Sequence, residues 1–373
     1  MKRTTMMLRI SFLNSFFAAL IVTSTWANAA ETVTLLDRGE PYDSMVADGD
    51  VLWIGQSRLQ FNANYRLEAY QPNGTLIDRV TLSHSLNSMK VAGNGSIIIT
   101  GISPESRLTQ YTLARLENGK IKKTTKEIAL GGFITFWVST VNGRHFFTDM
   151  GGNPNDTSDP AAGLPAQTIF SSTGTDSKYL AARVRMPVSG TSLNGKLLLV
   201  SSEGMGQDAS SIVEVDPKTS ATRVITKSKA AKYRGIAVLP GTSQIVTSAL
   251  SESKVRVIDT VSGETRHEFK TKGYPRSFVI TGHCVVVGND ESNVVEVFDL
   301  NGEASLPMFA DEINMGADEF SGIKSIVIDD KTSTVFARAA NACNPILEPC
   351  DKENNRVVKL DQSFSDRIQS SCK

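Results

Sequence analysis

Ser253-Lys254-Val255-Arg256-Val257-Ile258-Asp259-Thr260 alternates apolar and polar residues and stops at an Asp that opens a turn. Val295-Glu296-Val297-Phe298-Asp299 repeats the pattern, and the interval from Asp259 to Asp299 is 40 residues. Alternation of this kind marks a strand, and Asp or Asn-Gly just beyond it marks a hairpin, because those residues tolerate the positive φ that tight turns need. Outward from these two copies, the same strand end can be placed at Gln71, Glu117, Ser171, Asp216 and Asp361. Seven anchors spaced by about forty residues or more are the mark of stacked four-stranded units, each too small to bury its own faces. Short continuous apolar runs precede four of the anchors: Val51 to Gly55, Ser96 to Thr100, Lys196 to Val200 and Cys284 to Gly288. Runs of this kind suit strands covered on both sides. The predicted fold is therefore an all-β, seven-bladed β-propeller, with Trp53 and Trp137 packing between blades.

The two ends of the chain bear on how the ring closes. Thr32 to Leu36 leads through Gly39-Glu40-Pro41 into Ser44-Met45-Val46, as Thr265 to Phe269 leads through Gly273-Tyr274-Pro275 into Ser277-Phe278-Val279. An outer strand with no blade of its own before it is expected to join the last blade and remove the open edges. The segment from Asp366 to Ser371 competes for the same place. Before all of this, Lys2, Arg3 and Arg9 precede an apolar stretch from Ile10 to Val22 and an Ala27-Asn28-Ala29 ending. That is the layout of a secretory signal peptide over residues 1–29, leaving residues 30–373 as a single propeller domain exported to the periplasm or beyond. No later stretch is apolar enough to span a membrane. Lys and Arg number 39 against 39 Asp and Glu, so no overall field recruits nucleic acid.

Export permits disulfides. Cys343 and Cys350 bracket a short loop with Pro345 and Pro349 and are expected to pair; zinc is the rival reading, with no His near either thiol. A pairing of Cys284 with Cys372 is possible, but spacing does not establish it.

Ser253 to Thr260, with Tyr274-Pro275-Arg276 and the stretch from Val285 to Asn293, resembles the YVTN-type propeller repeat. It is similar to the central blades of exported bacterial propellers of the YncE kind and of amine dehydrogenase heavy chains. About two blades carry the likeness, which implies a fold and names no activity.

Chemistry in a propeller sits on the face shared by blade-connecting loops and second-to-third-strand loops. Two of the latter are long, Met150 to Ala166 and Ala339 to Asn355, and are candidate binding elements. The acidic residues of this face, among them Asp149, Asp156, Asp159, Glu252 and Asp290, lack the spacing of a calcium loop and read as solvated turns. The innermost strands of three successive blades begin Arg234-Gly235-Ile236, Arg276-Ser277-Phe278 and Lys324-Ser325-Ile326. The next two begin Asp43-Ser44-Met45 and Asn87-Ser88-Met89. If Arg234, Arg276 and Lys324 turn to the tunnel mouth beside Asp43 and Asn87, they form a site for a carboxylate or phosphate. The competing reading pairs them with loop carboxylates such as Asp318 and Glu319. Four His, placed in different strand classes, argue against a multi-histidine metal site, so no metal is assigned. His84 alone falls in a blade-connecting loop, where exposure is expected. With no Cys-x-x-Cys-His and no Gly-x-Ser-x-Gly, no cofactor is assigned either. The sequence favours a binding or assembly module for a protein partner or a small anionic ligand. Enzyme readings stay open beside it: a lactonase-like propeller acting on an acidic sugar derivative, or an amine-dehydrogenase-like heavy chain with a separate redox subunit.

Overall fold

The structure, a computed structural model, describes residues 32–38, 44–56, 65–93, 95–106, 108–128, 135–149, 168–173, 176–202, 209–290, 292–302, 306–313, 322–329, 331–340 and 355–373. The signal-peptide segment, both long loops and the Cys343–Cys350 pair lie outside these residues.

Strands form seven four-stranded antiparallel sheets. Blades 1 to 6 each use four consecutive strands, within residues 44–81, 88–127, 135–183, 187–228, 233–270 and 274–312. Blade 7 takes three strands from residues 323–360, and Thr32–Arg38 lies along its third strand, Asn355–Leu360, as the fourth. Every anchor falls within one residue of the end of a third strand, from Tyr70 in blade 1 to Leu360 in blade 7. Three of the hairpins turn on Asn-Gly with both residues at positive φ: Asn118-Gly119, Asn142-Gly143 and Asn194-Gly195. That backbone matches the twist of the strands it joins.

The core lies between blades rather than inside them. Trp53 of blade 1 packs with Ile97, Ile99 and Ala114 of blade 2, and Trp137 of blade 3 packs with Ile98 and Tyr111 of blade 2. Met45, Leu52 and Ile54 of blade 1 meet Val327, Phe336 and Val357 of blade 7, so packing runs all the way round the ring. Burial of a side chain this size contributes roughly 1.5–3 kcal/mol, and the second strands supply several each because both their faces are covered.

The C-terminal segment differs from its expected strand alternative. Gln362–Cys372 is an α-helix whose N-cap, Asp361, accepts a hydrogen bond from the Phe364 amide at 2.8 Å. Phe364, Ile368 and Cys372 recur every four residues and share one buried face against blades 6 and 7. Cys372 is joined to Cys284, at the start of the second strand of blade 6, in a disulfide with a Cα–Cα distance of 5.3 Å. Arg367 holds Asp311 and lies 4.5 Å over the ring of Phe309, fixing the other side of the helix. No helix among the described residues is long and apolar enough to cross a membrane.

Candidate functional site at the tunnel mouth

The innermost strands of blades 5, 6 and 7 are Tyr233–Val238, Tyr274–Thr281 and Ile323–Asp329. Each is interrupted near its start by a shift of register. In blade 5 the shift falls between Tyr233 and Ile236, in blade 6 between Pro275 and Ser277, and in blade 7 between Ile323 and Ser325. The residues left out of the ladder include Arg234, Arg276 and Lys324. A bulge releases one residue from strand alternation and re-aims its side chain, so three successive blades present a cation at the same place. In blade 5 the second bulged residue must be glycine: a Cβ on Gly235 would come within 2.7 Å of the Phe278 ring of blade 6.

A single carboxylate gathers two of these cations. Asp290 ends the second strand of blade 6; one oxygen accepts from Arg276 at 3.0 Å and the other from Lys324 of blade 7. Asp290 is mostly buried, with its side chain 10% exposed, whereas Arg276 is half exposed. The neighbouring Asn289 is fixed by donating to Glu296 at 2.8 Å and to the Val294 carbonyl at 3.1 Å. Glu296, its acid raised by burial, also accepts from the Lys272 amide at 3.0 Å. The partner of Arg276 and Lys324 is therefore a strand residue of the same face; Asp318 and Glu319 lie outside the described residues.

Arg234 is different. Among the described residues no carboxylate is hydrogen-bonded to it. Enclosure by the wall, and then the neighbouring charge of Arg276, pull its guanidinium below its ordinary range. Its surface remains open to solvent at the mouth. Asn87, on the blade 2 side, bonds through its backbone N–H to the Thr100 carbonyl at 2.7 Å, while its side-chain Nδ2 is buried without a partner among the described residues. Asp43 lies outside the described residues. The mouth thus brings together three cations and one carboxylate among the described residues, and charge-assisted hydrogen bonding to an added anion is the chemistry this arrangement can perform.

One residue escaped the sequence reading and another is placed differently from it. Lys90, in the innermost strand Ser88–Gly93 of blade 2, extends past blade 3 and donates to the Gly190 carbonyl of blade 4 at 3.0 Å. Burial alone pulls its ammonium pKa down to about 8. The signal was present as the one charged residue in Ser88-Met89-Lys90-Val91-Ala92-Gly93. His84, expected at the surface, is fully buried. Its Nδ1 donates to the Ser85 carbonyl at 2.6 Å and its Nε2 accepts from Thr112 at 2.7 Å. Burial holds its pKa down at about 4, so it is a neutral structural residue. The other histidines stand on blades 3, 5 and 6: His145 bonds Thr140 at 2.7 Å, His267 stacks on Phe269, and His283 lies 3.8 Å from Asp299.

This architecture and this mouth define a seven-bladed β-propeller. No protein-family model matches the chain, and no curated protein matches it in sequence. Solved structures do. The WD40 β-propeller domain of Doa1 aligns over 91% of this chain and 99% of its own, with a TM-score of 0.58 and 11% identity. Puromycin hydrolase aligns over 88% of this chain and 53% of its own, with a TM-score of 0.57 and 11% identity. The computationally designed Ika8 protein aligns over 88% of this chain and 99% of its own, with a TM-score of 0.54 and 8% identity. At such identities the likeness is one of fold.

Proposed function

We propose that this chain is an exported binding module that captures a small carboxylate-bearing ligand at the mouth of its tunnel, on the loop-rich face. The observation that carries the reading is Arg234: a guanidinium with no acid partner among the described residues, within electrostatic reach of a second guanidinium, Arg276. Two like charges side by side cost free energy that an arriving anion recovers, and wall enclosure strengthens each contact relative to open water. Export is supported by the basic-apolar-small layout of residues 1–29 and by the Cys284–Cys372 disulfide, a bond that persists in oxidising compartments. The likeness of blades 5 and 6 to YVTN-type repeats agrees with that location.

Calorimetric titration with a panel of small carboxylates and phosphate tests the reading. Arg234→Ala and Arg276→Ala are expected to weaken binding at least tenfold with little change in melting temperature. Binding that is unaltered in Arg234→Ala, or no binding across the panel, overturns it.

A further inference from the structure

Lys90 presents a problem of charge. Its side chain reaches from blade 2 past blade 3, its ammonium donates at 3.0 Å to the Gly190 carbonyl of blade 4, and no carboxylate among the described residues is paired with it. A partly buried cation without a counter-ion among the described residues is costly, and a methionine of similar length would span the same gap without that cost. The innermost strands of blades 3 and 4 are themselves joined by an uncharged pair, Ser139 and Ser192, which share a hydrogen bond at 2.6 Å.

Position relates this charge to the mouth. In blade 4 the register shift falls between Pro187 and Ser189, at the level where blades 5, 6 and 7 carry their bulged cations. Gly190 lies two residues below the bulged Val188, which places it about 7 Å deeper in the tunnel at a strand rise of about 3.3 Å per residue. Blade 4 adjoins blade 5, so the Lys90 ammonium lies below Arg234 and one blade around the ring. The two cations, neither with an acid partner among the described residues, thus mark two levels on neighbouring blades: Arg234 at the bulge of blade 5 and the Lys90 ammonium at Gly190 of blade 4.

We infer that the ligand of the tunnel mouth carries two acidic groups, one held by Arg234 and Arg276 at the rim and the second by Lys90 in the tunnel. This rests on the mouth being an anion site. The depth between the two levels suits a flexible dicarboxylate of roughly four to six carbons. The rim alone accepts a monocarboxylate; Lys90 adds selectivity for the longer, doubly charged molecule. The second acid supplies the missing counter-charge and displaces the Gly190 carbonyl from the ammonium or joins it there.

The test compares succinate, glutarate and adipate with monocarboxylates of matched length, by calorimetry on the purified protein. The wild type is expected to bind the best dicarboxylate at least tenfold tighter than its monocarboxylate counterpart. Lys90→Met is expected to collapse that ratio to about twofold or less, and Arg234→Ala to weaken both classes. Lys90→Gln serves as the second variant should the methionine alter folding, judged by circular dichroism. An independent readout is acetylation of Lys90 by acetic anhydride, followed by mass spectrometry, which the dicarboxylate should slow and the monocarboxylate should not. Equal affinity for the two classes in the wild type, or an unchanged ratio in Lys90→Met, overturns the role of Lys90 and leaves the rim site standing. Failure of every carboxylate to bind overturns the rim site, and this inference with it.

Discussion

Acidification should unlock the propeller at His84. The imidazole has no exposed surface and is sandwiched in the loop between blades 1 and 2, with Ser85 accepting from Nδ1 and Thr112 donating to Nε2. Thr112 is itself bonded to Thr125 at 2.8 Å, so the ring is the inner end of a chain of hydroxyls. The neutral form fits; the charged form is disfavoured by burial first, with the charge of Lys123 adding to it. The folded pKa of about 4 lies below the ordinary value of 6.5. Between those two values the unfolded chain binds a proton that the folded chain does not, so stability is full above pH 6.5 and drains away as pH falls toward 4. A displacement of roughly 2.5 units at 1.36 kcal/mol per unit predicts a loss of about 3 kcal/mol from this one residue. Urea denaturation of the wild type and of His84→Gln at a series of pH values isolates it, because carboxylate contributions common to both proteins cancel. The wild type should lose about 3 kcal/mol more than the variant between pH 7 and pH 4. Parallel pH profiles, or a His84 proton resonance titrating near 6.5, would refute the reasoning.

Further expectations follow from other contacts. Gly101 faces the same loop so closely that a Cβ would sit 1.6 Å from the Ser85 carbonyl oxygen; Gly101→Ala should cost about 1–3 kcal/mol in urea denaturation and speed exchange of the Ser85 and Asn87 amides. Asp290→Asn removes the carboxylate that Arg276 and Lys324 share; thermal melting should show a loss of about 1–3 kcal/mol, while calorimetry shows tighter binding of small carboxylates. Burial lowers the Lys90 pKa to about 8, so the folded state releases its proton before the unfolded state does. Stability should rise by up to about 3 kcal/mol between pH 8 and 10.5, a rise absent in Lys90→Met. The Cys284→Ser, Cys372→Ser double variant should lose about 2–4 kcal/mol and become sensitive to protease within Gln362–Cys372.

What the sequence disclosed depended on the range of the interaction. Strand ends are local events: an apolar alternation and an Asp or Asn-Gly turn occupy a few residues, so all seven third strands could be placed from Gln71 to Asp361. The cations at Arg234, Arg276 and Lys324 were legible for the same reason, since each opens an innermost strand with a polar residue before a small one. Their bulges were not, because a bulge is defined by the partner strand and leaves no mark in its own residues. Asp290 was counted among solvated turn acids, yet its pairing with Tyr274 of the innermost strand and its bridge to Gly322 beside blade 7 draw it into the wall; only neighbouring strands and blades together bury it. Cys284 and Cys372 are 88 residues apart, and their union needs the helix that carries Cys372 back to blade 6. That helix did have a local signature, Asp361 followed by apolar residues four apart, masked by the expectation of another strand.

The position of the tunnel charges is itself an argument about how such a ring is used. Bulged cations occur in blades 5 to 7. In blade 4 the bulged residue is Val188, and in blades 1 and 2 the innermost strands pair without a shift at Ser44-Met45 and Ser88-Met89. A purely structural need for positive charge at the rim would recur around the ring, because every blade meets its neighbours in the same way. Confinement of the bulged cations to one arc, among the described residues, is what the proposed anion site accounts for and the fold alone does not require. Asp290 satisfies two members of it, and its own burial keeps them in place rather than quenching them in solvent. Arg234, next in the arc, is what remains over, and Lys90 reaches toward its side of the tunnel from blade 2. Substituting cations into the neutral arc, for instance Val188→Arg, should therefore leave carboxylate affinity at the rim changed by no more than a few-fold, whereas Arg234→Ala weakens it at least tenfold. If Val188→Arg rescues binding in Arg234→Ala, net charge alone governs the mouth, and the geometric reading of the arc is wrong.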